Sequence, residues 1–207
     1  MKVLLVNGSP HSKGCTFTAL EQVAGQLGKA GIDTETMHIG NKAIRGCIDC
    51  RKCAQTGYCI FTDDPVNEAI DKLKAADGLV VGSPVYYAGP NATVCAFMDR
   101  VFFLKSAPYA FKPACAIASA RRAGTVATWD RLNKYFGIAR MPIVSSQYWN
   151  GIHGNKAEEA REDLEGMQTM RTLGDNMAWL LKCIEAGRNA GINPPQCEPA
   201  IYTNFIR

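Results

Sequence analysis

Lys2-Val-Leu-Leu-Val-Asn-Gly-Ser-Pro-His-Ser-Lys-Gly-Cys-Thr16 decides the fold of this chain. Lys2 to Val6 is a short apolar run ending in turn residues, the pattern of a buried strand. The loop Asn7 to Gly14 follows, broken by Gly8, Pro10 and Gly14. Phe17, Leu20, Val23, Ala24 and Leu27 then recur at helical spacing until Gly31 closes the helix. A buried strand feeding a helix through a glycine-bearing loop opens a β–α–β unit.

The same alternation continues along the chain and predicts an α/β fold, a five-stranded parallel sheet with helices on both faces. Thr34–Met37, Gly78–Gly82, Pro113–Ala118 and Met141–Val144 are the other expected strands. Helices are expected around Val66–Leu73, over Ala92–Leu104 and Thr125–Phe136, and as one long helix over Glu158–Ala186. Residues 1–207 are expected to form a single domain, with a cysteine-rich insertion over 44–64. The tail 188–207, rich in proline, is expected to be irregular.

With 207 residues, 47% apolar and 20% charged, the chain can bury a large core without disulfide staples. The net charge of +4 is mild and its basic residues are scattered, which predicts neither nucleic-acid nor membrane binding. The first apolar run is too short for a signal peptide or a spanning helix, so a cytoplasmic location is expected. In that reducing compartment, clustered cysteines serve metal or redox chemistry more often than disulfides.

The first loop sits where open α/β sheets bind ligands, at the carboxyl end of a strand. A helix N-terminus there offers unpaired N–H groups, and Ser9, Ser12 and Thr16 add hydroxyl donors, a set suited to a phosphate. Lys13 is followed by Gly14 rather than Ser or Thr, so the loop is not a Walker A sequence. With only Gly8 and Gly14 it is not the dinucleotide G-x-G-x-x-G pattern either. The plain alternative is a strand-to-helix turn capped by Ser12 or Thr16. His11 is a further phosphate donor candidate, or else a solvated histidine. After the third strand, Ser83-Pro-Val-Tyr-Tyr-Ala-Gly89 can offer a planar ligand an aromatic wall and backbone polar groups.

Cys47, Cys50, Cys53 and Cys59 follow a C-x2-C-x2-C-x5-C spacing and account for four of nine cysteines. A coiled segment can aim sulfurs spaced in this way at one point. An iron–sulfur cluster takes four thiolates, and the longer spacer with Gly57 gives Cys59 room to return. Zinc fits less well, because structural zinc sites usually pair two separated knuckles. Free or oxidised thiols are the third reading. Cys95, Cys115 and Cys183 lie in apolar contexts and are expected to be buried packing residues.

Gly8-Ser-Pro, Ser83-Pro-Val-Tyr86 and Asp99-Arg100 together resemble the flavodoxin-like NAD(P)H-dependent FMN reductase superfamily. The four-cysteine spacing, Asp63-Asp64 and Gly166-Met-Gln-Thr169 resemble its iron–sulfur flavoprotein branch. The resemblance implies a flavodoxin-like fold with FMN held by its phosphate at Ser9, Ser12, Gly14, Cys15 and Thr16, beside the candidate donor His11. It implies a flavin ring against Pro84, Val85, Tyr86, Tyr87, Ala88 and Gly89, and a third flavin loop with Ser119, Arg121 and Gly124. It also implies a 4Fe-4S cluster on Cys47, Cys50, Cys53 and Cys59, NAD(P)H or a ferredoxin-like protein as donor, and a small-molecule electron acceptor. A homodimer or homotetramer is the implied assembly. The alternatives are a cluster-free NAD(P)H-dependent FMN or quinone reductase, and a thiol and flavin redox sensor. Cys15 and the stretch Gln147–Gly154 depart from the branch pattern. Trp149 and His153 in that stretch are read as cavity or interface residues.

Overall fold

The computed structural model describes residues 1–104 and 108–203. β1 (Lys2–Asn7) leads through the Gly8–Gly14 loop into α1 (Cys15–Lys29), and β2 (Asp33–His38) follows. The crossover carries the cysteines and one turn of helix, α2 (Cys53–Thr56), before α3 (Val66–Ala75). β3 (Gly78–Tyr86), the short β4 (Gly89–Pro90) and α4 (Ala92–Phe102) come next. β5 (Ala114–Ala120), α5 (Thr125–Ile138), β6 (Gly151–His153), α6 (Ala157–Glu162) and α7 (Leu164–Asn189) complete the described elements.

The strands lie in the order β2-β1-β3-β5-β6, all parallel, and β4 turns back antiparallel on the end of β3. This is the flavodoxin-like order, whose direction reverses between β1 and β3. Side chains alternate across the sheet and so divide each strand between two cores. Leu4, Val6, Leu79, Val81, Ala114 and Ala116 pack against α3, α4 and α5. Val3, Leu5, Val80, Cys115 and Ile117 pack against α1, α6 and α7. Strands covered on both faces must be apolar throughout, hence the unbroken run at Val3–Val6. Among the described residues no helix is long and apolar enough to cross a membrane.

Three expectations change. Met141–Val144 is not the fifth strand: it makes only an isolated bridge, Ala114 with Ile143, and β6 at Gly151–His153 takes that place beside β5. Pro142 interrupts the apolar run and has no N–H to give the sheet. The last helix is two helices. The Asp163 side chain accepts from the Gly166 N–H at 2.9 Å, so it caps α7 and breaks the periodic stretch there. Cys183 is exposed on α7 and Cys95 half-buried, rather than both buried, whereas Cys115 is buried as expected. The tail 191–203 is irregular, and 204–207 lie outside the described residues.

The carboxyl end of β1 is joined to the middle of β3 by the Gly8 N–H bonding to the Gly82 carbonyl at 2.9 Å. Asn91 locks that junction to α4. Its buried amide donates to the Gly8 carbonyl at 2.7 Å, and its Oδ1 caps the helix by accepting from the Val94 N–H at 2.8 Å. Asn91→Ala removes the cap and orphans a buried carbonyl, so urea unfolding should show a loss of about 2–4 kcal/mol. A loss below about 0.5 kcal/mol, the range of ordinary surface changes, would contradict this role.

Candidate functional site

The loop after β1 is held by its own side chains. Asn7 donates from Nδ2 to the Ser12 carbonyl at 3.1 Å and accepts from the Ser9 N–H at 3.1 Å. Ser9 Oγ accepts from the His11 N–H at 3.2 Å, and the Gly14 N–H turns back to the His11 carbonyl at 3.3 Å. His38, at the end of β2, donates from Nε2 to the Ser9 carbonyl at 2.7 Å, which fixes its tautomer. Only glycine fits at position 40, since a Cβ there would lie 2.0 Å from the Ser9 oxygen. Gly14 starts α1 with no side-chain cap and no acidic residue in the first turn. The amides that a side chain would otherwise cap are therefore available to an anion.

A cleft of about 740 Å³ opens beside this loop, within the size range of small-molecule sites. Ser9 to Thr16 line one side, Pro84, Val85 and Tyr86 another, and Ser119, Ala120 and Arg121 a third. Thr16 Oγ1 and Ser119 Oγ share a hydrogen bond of 2.7 Å between two buried hydroxyls, tying the first wall to the third. Lys13, Arg121 and Lys156 against Glu158 give the lining an excess of positive charge, which favours an anionic ligand. Cys15 donates to the Gly154 carbonyl at 3.3 Å. Burial pushes its thiol up from the usual range, and Glu159 and Glu158 add to that, so it is a neutral wall residue.

Tyr87 and Ala88 form the two-residue turn between β3 and β4, with φ of 49° and 61°. Both central residues are left-handed, as in a type I′ hairpin, a geometry that usually selects Asn and Gly. Such strain persists only where the surroundings over-determine it. Gly124, itself at φ 92°, packs directly against the turn. A Cβ on it would lie 2.7 Å from Val85 Cγ1 and 2.8 Å from Ala88 Cα. Ser83 Oγ adds a bond from the Asn91 N–H at 3.2 Å.

Of the residues expected to hold the cofactor, Ser9, His11, Ser12, Gly14, Cys15, Thr16, Pro84, Val85, Tyr86, Ser119 and Arg121 all line the one cleft. Tyr87, Ala88, Gly89 and Gly124 do not. Tyr87 is fully exposed, because the hairpin geometry that places Tyr86 at the cleft turns its neighbour outward. The residues Gly154–Glu158 also line the cleft and went unpredicted. Their signal is weak, a polar stretch that begins after β6. Trp149 lies elsewhere, its ring tilted against that of Trp129 at a centroid distance of 5.2 Å, beside a separate exposed hollow. The backbone N–H of His153 bonds to Asp163 at 2.7 Å.

The four clustered cysteines line a second, smaller cavity with Arg100, Phe61 and Phe103. The segment bends sharply around Cys50, with φ of 52° at Asp49 and 59° at Arg51. Two left-handed non-glycine residues flanking one cysteine are a local strain that brings Cys47, Cys50 and Cys53 to a common wall. Cys59 is anchored: its N–H donates to Asn67 Oδ1 at 2.8 Å, and its sulfur accepts from Arg100 Nε at 3.2 Å. Cys53 is half-buried, and burial pushes its thiol up, with the neighbouring Cys47 and Cys50 sulfurs adding to the shift. Cys47 and Cys50 are exposed, and all nine cysteines are free thiols. Among the described residues no three Cys, His, Asp or Glu side chains stand close enough to hold a single ion.

A model of the NADPH-dependent FMN reductase family matches residues 1–156. An iron–sulfur flavoprotein of Methanocaldococcus jannaschii is 31% identical over 196 residues, covering 89% of this chain and 100% of that protein. One from Methanosarcina thermophila is 30% identical, covering 91% of this chain and 100% of the relative. In fold the chain resembles RosB, crystallised with a bound riboflavin phosphate intermediate, at a TM-score of 0.73 and 16% identity, covering 99% and 92% of the two chains. It also resembles a WrbA-like flavodoxin from Agrobacterium tumefaciens, at a TM-score of 0.60 and 18% identity, covering 88% and 98%.

The thiols should differ in reactivity. In reduced, metal-free protein at pH 8, iodoacetamide should label the exposed Cys47, Cys50, Cys183 and Cys197 first, Cys53 more slowly, and Cys115 only on unfolding. Peptide mass spectrometry over time reads the order, and early labelling of Cys53 ahead of Cys50 would contradict it.

Proposed function

The chain belongs to the NADPH-dependent FMN reductase family, in its iron–sulfur flavoprotein branch, and we propose that this FMN-dependent oxidoreductase carries a 4Fe-4S cluster on Cys47, Cys50, Cys53 and Cys59. The observation that carries the reading is the convergence of four cysteines on one cavity, with an arginine N–H already directed at one sulfur. Soft thiolates are the ligand set that iron–sulfur clusters require. Spread over four corners of a cluster, they need not crowd as closely as around one ion. The cavity, about 20 Å³, is only large enough for one water. Loading therefore requires the exposed Cys47–Cys50 arm to swing outward, while Cys53 and Cys59 keep their places.

The cleft supplies the other centre. Its hydroxyls, amides and excess of cations suit the FMN phosphate at Ser9, His11, Ser12, Gly14, Cys15 and Thr16, with the ring toward Pro84, Val85 and Tyr86. Bound FMN supplies hydride and one-electron chemistry, and the cluster supplies one-electron transfer. The chain binds, orients and shields these groups, and no side chain of the cleft is required as an acid or base. NAD(P)H or a ferredoxin-like protein is the donor in this reading, and a small molecule the acceptor. The exposed apolar residues Trp149, Leu164 and Trp179 support self-association as a homodimer or homotetramer.

Protein purified anaerobically should contain FMN together with about four iron and four sulfide per chain. FMN without iron, combined with rapid NAD(P)H oxidation, would instead support a cluster-free reductase. Thr16→Val should raise the FMN dissociation constant about tenfold to a hundredfold, since a hydrogen bond to a charged group contributes about 1.5–3 kcal/mol. Flavin fluorescence titration measures it, and an unchanged constant would remove Thr16 from the phosphate site.

A further inference from the structure

We propose that Arg100 is a positioning residue of the cysteine centre, which holds the segment closed around Cys59 and raises the reduction potential of the cluster. The inference rests on the cluster reading above. Arg100 lies on α4, outside the segment, yet it reaches three points within it. Its Nη1 donates to Asp64 Oδ2 and to the Arg45 carbonyl at 3.2 Å, and Nη2 to Asp64 Oδ1 at 3.1 Å. Its Nε donates to Cys59 Sγ at 3.2 Å. The Phe61 ring covers the guanidinium at 5.1 Å. One side chain thus joins the start, the last cysteine and the end of the segment.

The environment determines what that sulfur contact does. The Arg100 and Asp64 side chains are 1% and 2% exposed, so their charges are unscreened and nearly cancel. The remaining Nε–H is buried against a thiol sulfur, which is a weak acceptor. It becomes a strong partner only when the sulfur carries negative charge, as a metal-bound thiolate does. Reduction adds a further negative charge to the cluster, so the same N–H stabilises the reduced form more than the oxidised one. Hydrogen bonds to cluster sulfurs are among the factors that set the potential. Arg45 and Arg51 are exposed and paired with Asp63 and Asp49 at the surface, where solvent weakens their effect.

Two variants of the anaerobically purified protein test this by potentiometric titration followed by electron paramagnetic resonance, with iron and sulfide quantified. Asp64→Asn keeps the shape but leaves the cation uncompensated, and should raise the reduced-to-oxidised ratio about tenfold at the wild-type midpoint. For a one-electron couple, tenfold is an upward shift of about 59 mV. The double variant Arg100→Gln with Asp64→Asn leaves no unpaired buried charge and should lower the ratio by a similar factor. A merely structural role would alter stability without moving the two potentials in opposite directions. Should the double variant fail to load iron, Asp64→Asn alone decides. A ratio within twofold of wild type, or a fall, overturns the role of Arg100. Absence of iron from the wild type instead overturns the cluster reading, and shows before any potential is compared.

Discussion

β1 and β3 part company at Gly8 and Gly82, and the described site follows from how closely they can approach before doing so. The bond between those two residues is the last rung between the two strands, and a Cβ on Gly8 would lie 2.0 Å from Val94 Cγ2. Beyond that point β1 leaves the sheet for α1, while β3 runs on beside β5 to the Tyr87–Ala88 turn. A sheet that reverses its winding direction here must leave a crevice at its carboxyl edge. Gly40 closes in from the β2 side, and the buried Asn91 side chain from α4, so close backbone approaches and a buried amide fix the base of the crevice. The electrostatics are then supplied by an uncapped helix start and a few lysines and arginines at the rim.

Two kinds of order meet in the cysteine segment. Cys59 is fixed by Asn67 and Arg100, whereas the Cys47–Cys50 arm is exposed and turns through two left-handed non-glycine residues. Metal binding to such a segment is linked to its folding, because ligands that are already placed incur less ordering cost than ligands that must be gathered. The half-formed site is consistent with a small cavity that opens on loading. Conformational strain of order 1–3 kcal/mol at Asp49 and at Arg51 would be modest against the apparent binding energy of a structural metal centre.

The α/β architecture and the loop that joins β1 to α1 were legible from the sequence because they rest on local periodicity and on glycines at a strand end. The fifth strand was not, since Pro142 looks apolar in a pattern yet withdraws a donor from the sheet. The break at Asp163 was hidden for a related reason: a single capping aspartate inside an amphipathic stretch preserves the period while ending the helix. Tyr86 and Tyr87 are adjacent and chemically alike, so only the hairpin distinguishes the cleft residue from the exposed one. His38, Gly40 and Asn91 act through contacts distant in sequence, which pattern alone cannot report. The Asp99-Arg100 pair was visible as a motif, but the partners of Arg100 emerge only when α4 packs against the crossover.

α4 places the two centres relative to each other. Its first-turn cap, Asn91, bonds to the loop after β1, and Arg100 bonds to the cysteine segment nine residues later. At about 1.5 Å per residue, that separates the two anchor points by about 14 Å along a single helix. A loop spanning the same distance would let the centres drift, and the helix does not. Because Val94, Phe97, Met98 and Val101 bury the same helix against the sheet, neither anchor can shift without disturbing the core. A change at Arg100 is therefore opposed by packing before it reaches the cleft, which makes the cysteine segment, not the flavin loop, the place where its effect is confined.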